Sequence, residues 1–214
     1  MVRNSKLPDR PPSTIAVAIA RKLSMLLGKV FFRLEHFNLS NVPPETGEGL
    51  IIVSNHQTYF DPFLICAPID RRIRFMAWDE VFKNRFSDGL LRMLGAFPVS
   101  LKKGGTIRAM ITSMTLLKNG ETLMIFPEGS REFPDGKHLP FKTGAARIAL
   151  ESKVAILPVT VKGGNRVWPQ GRKLPRPGRI EIYYHPLFYP EAGESGVDSA
   201  QKVTEKLRTI IASV

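Results

Sequence analysis

The chain has 214 residues, 43% of them hydrophobic, and 31 Lys and Arg against 19 Asp and Glu give it a net charge of +12. That length suits one domain with a substantial core, and that hydrophobic fraction excludes a disordered chain. A single cysteine excludes an intramolecular disulfide, no uncharged apolar run approaches the ~20 residues of a spanning helix, and the charge points to a polyanionic partner: nucleic acid, an anionic lipid surface or a phosphorylated substrate.

Residues 1–12, with three prolines and Arg3, Lys6 and Arg10, read as a loose arm. From Ser13 to Leu34, Ile19, Leu23, Leu26, Leu27, Val30, Phe31 and Leu34 recur at helical spacing, with Arg21, Lys22, Lys29 and Arg33 on the other side. This predicts a basic amphipathic helix. It either covers a core or lies in the plane of a membrane surface, and the surrounding charge favours the membrane. Arg21 and Lys22 also interrupt the candidate secretory h-region.

Beyond it, strand and helix patterns alternate. Leu50–Val53 reads as a buried strand, and Pro62–Ala67 opens a helix in which Cys66 is a core residue rather than a reactive thiol. Arg72–Ala77 and Ala96–Val99 are short strands, separated by a helix that includes Gly89–Leu94 and stops at Gly95. Thr106–Lys118 is helical: Ile107, Met110, Ile111, Met114 and Leu117 share one face, and Gly120 supplies the stop. Thr122–Phe126 is a strand and Gly144–Glu151 a helix; Val154–Val161 and Arg179–Tyr184 are strands, and Trp168–Gly178 is an exposed loop. The last helix opens on a capping-box-like signal at Asp198–Gln201 and buries Val203, Leu207, Ile210 and Ile211. This alternation predicts an α/β fold, a largely parallel central sheet flanked by helices, over residues 35–214. Residues 1–34 precede it as the basic arm and membrane-associating amphipathic helix.

Two polar stretches end predicted core strands. Behind Leu50–Val53 comes Ser54-Asn55-His56-Gln57-Thr58-Tyr59-Phe60-Asp61, at the strand end that faces the ligand crevice of an α/β sheet. Histidine exchanges a proton near neutrality, and a carboxylate fixes its tautomer and supports the imidazolium. His56 and Asp61 are therefore candidate catalytic residues. A plainer reading coexists with this one: Asp61-Pro62 is a helix N-cap followed by proline at the first helical position, and His56 a loop residue. Behind Thr122–Phe126 comes Phe126-Pro127-Glu128-Gly129-Ser130-Arg131, where proline stops the ladder and glycine turns the chain. Alone it would be a surface turn with a weak ion pair. Two such stretches at the ends of two core strands point into one crevice.

Together these residues resemble the glycerolipid acyltransferase superfamily, specifically the 1-acyl-sn-glycerol-3-phosphate (lysophosphatidic acid) acyltransferases. Asn55-His56 through Asp61 matches the N-H-x4-D block, and Phe126 to Arg131 the F-P-E-G-[ST]-R block. Gly95-Ala96-Phe97-Pro98-Val99 resembles the second block, Ile156-Leu157-Pro158-Val159 the fourth, and Phe141 to Ala146 the stretch that follows the third. One departure stands out: an acidic residue and an arginine commonly continue the second block, but here Ser100 and Leu101 occupy those places, with Lys102 and Lys103 after them.

The resemblance implies that His56, supported by Asp61, deprotonates a glycerol hydroxyl that attacks an acyl thioester. Glu128, Gly129, Ser130 and Arg131 would bind substrate, Arg131 through the acceptor phosphate, with Lys102 or Lys103 in place of the missing arginine. It implies phosphatidic acid as product, no metal and no cofactor beyond acyl-CoA or acyl-carrier protein as co-substrate. The expected partners are an anionic membrane surface and a lysophospholipid acceptor, and the expected place is the cytoplasmic face of a membrane, peripherally bound. Other acceptors (glycerol 3-phosphate, another lysolipid, a lyso-aminolipid) remain open because of Leu101. A basic nucleic-acid-binding module is the rival from another class, but no RNA-recognition signature, zinc-ligand pattern or stacking platform supports it, so no nucleic acid is expected. A lipid-binding protein with a decayed site is the third reading, opposed by the presence of His56, Asp61, Glu128 and Arg131. His36, His138 and His185 carry no motif and are expected to be structural.

Overall fold

The structure, a computed structural model, describes residues 11–100, 104–131, 137–191 and 197–214. Helices α1 (Thr14–Phe32), α2 (Asp61–Cys66), α3 (Arg85–Met93), α4 (Gly105–Lys118), α5 (Gly144–Ser152), α6 (Gly164–Val167) and α7 (Val197–Ile211) alternate with strands β1 (Glu35–Phe37), β2 (Leu50–Ser54), β3 (Ile73–Trp78), β4 (Ala96–Val99), β5 (Thr122–Ile125), β6 (Ala155–Lys162) and β7 (Glu181–Tyr184). The strands form one sheet in the order β1-β7-β6-β2-β5-β3-β4. Every pairing is parallel except β6 with β7. The α/β fold with its largely parallel, helix-flanked sheet is therefore the one predicted.

The central strand β2 explains the layering. Its five residues are all buried, and alternation sends Leu50 and Ile52 to one face and Ile51 and Val53 to the other. The first face packs with Phe32 of α1 and with Leu64, Ile65 and Cys66 of α2. The second packs with α4, α5 and α7 through Leu117, Ile148 and Leu207. Each such side chain removed from water contributes about 1.5–3 kcal/mol. Cys66 is buried, as expected, and burial pushes its thiol pKa up. β1 was not legible in the sequence, since three residues carry no period.

α1 forms where predicted, capped by Ser13, whose hydroxyl accepts the Ala16 N–H at 3.3 Å. It docks on the core through few residues, and its apolar stripe faces away from it. Gly28 and Phe32 are its buried residues, while Ile15, Ile19, Leu23, Leu26, Leu27, Val30 and Phe31 are exposed. The approach at Gly28 is close, for a Cβ there would meet the Leu34 side chain at 2.5 Å. Leu34 thus leaves the stripe and enters the core. Arg21 leaves the free cationic side as well: it donates to Ala67 O at 2.8 Å and pairs with Asp70 at 3.0 Å, clamping α1 to the end of α2.

Three smaller expectations change. Ile107 and Ile111 are 66% and 59% exposed, because α4 turns Ala109, Ser113, Leu116 and Leu117 inward instead; the two small residues let it approach closely. Asp198 is itself helical in α7 rather than at a cap, and Ile210 is only half-buried. Among the described residues, no helix is long and apolar enough to cross a membrane.

Candidate active site

Strands β2 and β5 are parallel neighbours, with Val53 opposite Ile125. The two polar stretches therefore leave adjacent strand ends on the same side of the sheet. His56 and Asp61 meet there: His56 Nδ1 lies 3.0 Å from Asp61 Oδ2. With a carboxylate as partner, Nδ1 is the donor, and Nε2 is left with its lone pair. The imidazole stacks on Phe126, ring centroids 4.0 Å apart, and its side chain keeps 18% exposure.

Asp61 is fully buried, and its burial is compensated by the loop that precedes it. Oδ2 also accepts the Gln57 and Thr58 N–H groups at 2.6 and 2.7 Å, and Oδ1 accepts the Thr58 hydroxyl at 2.6 Å. The N-cap reading is corrected by this geometry. Phe60 occupies the cap position of α2 without a side-chain bond, and Pro62 stands in the first turn. The Asp61 carboxylate folds back onto residues 56–58 instead of forward onto its own helix.

Two further ties hold the histidine loop against β6. The Asn55 amide pairs with the backbone of Val161 in both directions, donating to its O at 2.9 Å and accepting its N–H at 2.8 Å. Gln57 Oε1 accepts the Gly164 N–H at 2.7 Å, at the start of α6. On the other flank, Glu128 is 3% exposed. Its Oε1 accepts the His56 N–H at 2.9 Å and its Oε2 the Leu139 N–H at 2.8 Å. Burial raises the Glu128 pKa, and the two N–H bonds oppose that rise. Both oxygens thus already carry backbone donors, which places Glu128 between loops rather than at their surface.

Gly129 takes a left-handed turn at φ +69, and its N–H donates to Phe126 O at 3.0 Å. Lys142 Nζ lies over it, where a Cβ would come within 2.6 Å. Ser130 is exposed. Arg131 extends across the site to Tyr59: its guanidinium carbon sits 3.9 Å from the Tyr59 ring centroid, and Nη2 donates to the Tyr59 hydroxyl at 3.1 Å. Tyr59 in turn meets Trp168 edge-on at 5.4 Å. Lys102 and Lys103 lie outside the described residues, as does Leu101.

The structure thus brings His56, Asp61, Glu128, Gly129 and Arg131 together. It adds Asn55, Tyr59, Phe126, Lys142 and Trp168, which sequence reasoning did not assign roles. Asn55 and Tyr59 stood within the first block, and Lys142 in the stretch resembling the sequel of the third, so a signal existed for these. Trp168, in a loop rich in Pro and Gly, offered none. His36, His138 and His185 lie elsewhere, with pKa values lowered by burial. Among the described residues, no group of three or more His, Cys, Asp or Glu gathers to hold a metal.

Residues 33–162 match the model of the Acyltransferase family. The chain is similar to a 1-acyl-sn-glycerol-3-phosphate acyltransferase of Bacillus subtilis, 30% identical over 147 residues that cover 68% of this chain and 69% of the relative. A Streptococcus pneumoniae protein of the same description is 35% identical over 129 residues, 60% of this chain and 47% of its own length. The chain spans about half the length of that protein and of its chloroplast relatives from Brassica napus and Arabidopsis thaliana. The crystal structure of the 1-acyl-sn-glycerophosphate (LPA) acyltransferase from Thermotoga maritima superposes with a TM-score of 0.74 at 29% identity, covering 92% of this chain and 80% of that one.

Proposed function

Because the chain belongs to the acyltransferase family that includes the 1-acyl-sn-glycerol-3-phosphate acyltransferases, we propose that it transfers an acyl group from a thioester of CoA or acyl-carrier protein to the free hydroxyl of a lysophosphatidic acid. The observation that carries this reading is the His56–Asp61 pair, which leaves Nε2 as the basic nitrogen of a side chain that keeps 18% exposure. Nε2 takes the hydroxyl proton as the alkoxide oxygen bonds to the thioester carbon. The tetrahedral intermediate then expels the thiolate, which recovers the proton from the imidazolium, so no acyl-enzyme forms. Asp61 holds the tautomer and supports the transient cation.

Arg131 binds the acceptor phosphate, and the Lys142 ammonium over Gly129 adds positive charge beside it. Glu128 acts here by fixing the His56 backbone. The exposed stripe of α1 lies in the plane of an anionic membrane on its cytoplasmic face, with Lys22 and Lys29 at the head groups. This brings the site to a lipid acceptor. Ser100 and Leu101 keep a second acceptor class, such as glycerol 3-phosphate or another lysolipid, as the runner-up.

The test is a matrix of donors and acceptors with purified protein on lipid vesicles, following free thiol and acylated product. Thiol release that depends on lysophosphatidate, with phosphatidate formed in equal amount, is the expected result. Transfer only to an acceptor without a phosphate would overturn the assignment.

A further inference from the structure

We infer that Tyr59 is a specificity-determining residue that sets acceptor recognition by holding the Arg131 guanidinium in place for a phosphate. This rests on the reading that Arg131 binds the acceptor phosphate.

Tyr59 fills one of the four variable places between His56 and Asp61, and the residue is 59% exposed, so burial is not its use to the fold. What it does contact is Arg131, in two ways. The guanidinium lies over the ring at 3.9 Å, and Nη2 donates to the hydroxyl at 3.1 Å. A flat cation stacked on an aromatic face loses its swing but keeps its in-plane N–H groups. Arginine has five such donors; the phenol uses one, and an in-plane edge is what a phosphate oxygen would meet.

The ring is itself held. Trp168 meets Tyr59 edge-on at 5.4 Å and packs on Phe60 at 5.0 Å. Its indole N–H donates to Arg172 O at 2.9 Å, which ties it to the loop after α6. Arg131 is therefore held by an aromatic stack, Tyr59 against Trp168, which is itself anchored on Phe60 and on Arg172 O. Because His56 and Tyr59 share one short loop, the cation is placed relative to the base as well as relative to the crevice. A binding group placed in advance loses less freedom when the ligand arrives.

The experiment measures KM for lysophosphatidate and for acyl-CoA in the full chain on vesicles, for wild type, Tyr59→Ala, Tyr59→Phe, Arg131→Ala and the Tyr59→Ala/Arg131→Ala pair. Tyr59→Ala is expected to raise the lysophosphatidate KM roughly threefold to thirtyfold, with the acyl-CoA KM unchanged. Tyr59→Phe keeps the stack and loses the hydroxyl, so its rise is smaller. In the Arg131→Ala background, Tyr59→Ala should add nothing. An equal rise with and without Arg131, or a rise for acyl-CoA of the same size, overturns the coupling while leaving Arg131 as phosphate ligand. If Arg131→Ala leaves the lysophosphatidate KM unchanged, the phosphate assignment itself falls, and the role of Tyr59 with it.

Discussion

Glu128 accepts the backbone N–H of His56 at 2.9 Å across 72 residues of sequence. The carboxylate of one block thereby positions the proposed base of the other, with its second oxygen on Leu139. Glu128→Gln retains one acceptor oxygen but turns an amide N–H₂ towards a backbone donor. A buried donor left without a partner costs about 1–3 kcal/mol, and in a chain of this size each kcal/mol lowers Tm by about 2–4 °C. We expect kcat to fall with Tm and the acceptor KM to stay near wild type. A raised acceptor KM with kcat and Tm intact would return Glu128 to the substrate.

The pair His56–Asp61 carries the chemistry in this reading. His56→Ala should lower kcat by about 10²–10⁴ in a protein that still folds, with a lower Tm from the lost Asp61 bond and Phe126 stack. Asp61→Asn should lower both activity and stability, because the buried carboxylate accepts bonds from Gln57, Thr58 and His56 together. Single-turnover rates beside thermal melts separate the two effects. Folded His56→Ala with most of the wild-type rate would dismiss the base.

The α1 stripe predicts a membrane response. Replacing exposed Ile19, Leu26 and Val30 by serine removes apolar contact without touching buried Gly28 or Phe32. Cosedimentation with vesicles should rise with anionic lipid and fall with salt in the wild type, and drop at least severalfold in the triple variant. Binding indifferent to lipid charge, salt and these three residues would make α1 a part of the fold alone.

Acid pH is expected to cost stability through His36, His138 and His185, all held below the ordinary histidine pKa by burial, with Arg208 adding to the effect on His138. The native state then binds fewer protons than the unfolded chain, so their contribution is complete above about pH 6.5 and declines as pH falls through the lowered native values. His185 Nε2 lies 2.8 Å from the Thr160 hydroxyl, which donates to Ile211 O at the end of α7. Urea denaturation from neutrality to pH 4 should show falling stability, with a shallower slope in His185→Gln. Identical slopes would exclude His185 from the acid response.

The amino-acid sequence by itself determined the alternation of strand and helix, the buried run of β2, the helix of α1 and the composition of the two blocks. Those features rest on periods and neighbours within a few residues, where local geometry dictates the result. The meeting of His56 with Asp61 belongs to the same class, since one short loop contains both. What only the tertiary structure decided depends on which strands lie side by side. Setting β2 between β5 and β6 gives Asn55 its Val161 and His56 its Glu128. A period also shows that a helix has an apolar side without showing which side is wet. Hence Ile107 and Ile111 emerged exposed, and the stripe of α1 faces outward while Gly28 and Phe32 dock the helix. The stack of Arg131 on Tyr59 and Trp168 joins three segments that the chain order keeps apart, and packing of side chains across the crevice was needed to assemble it.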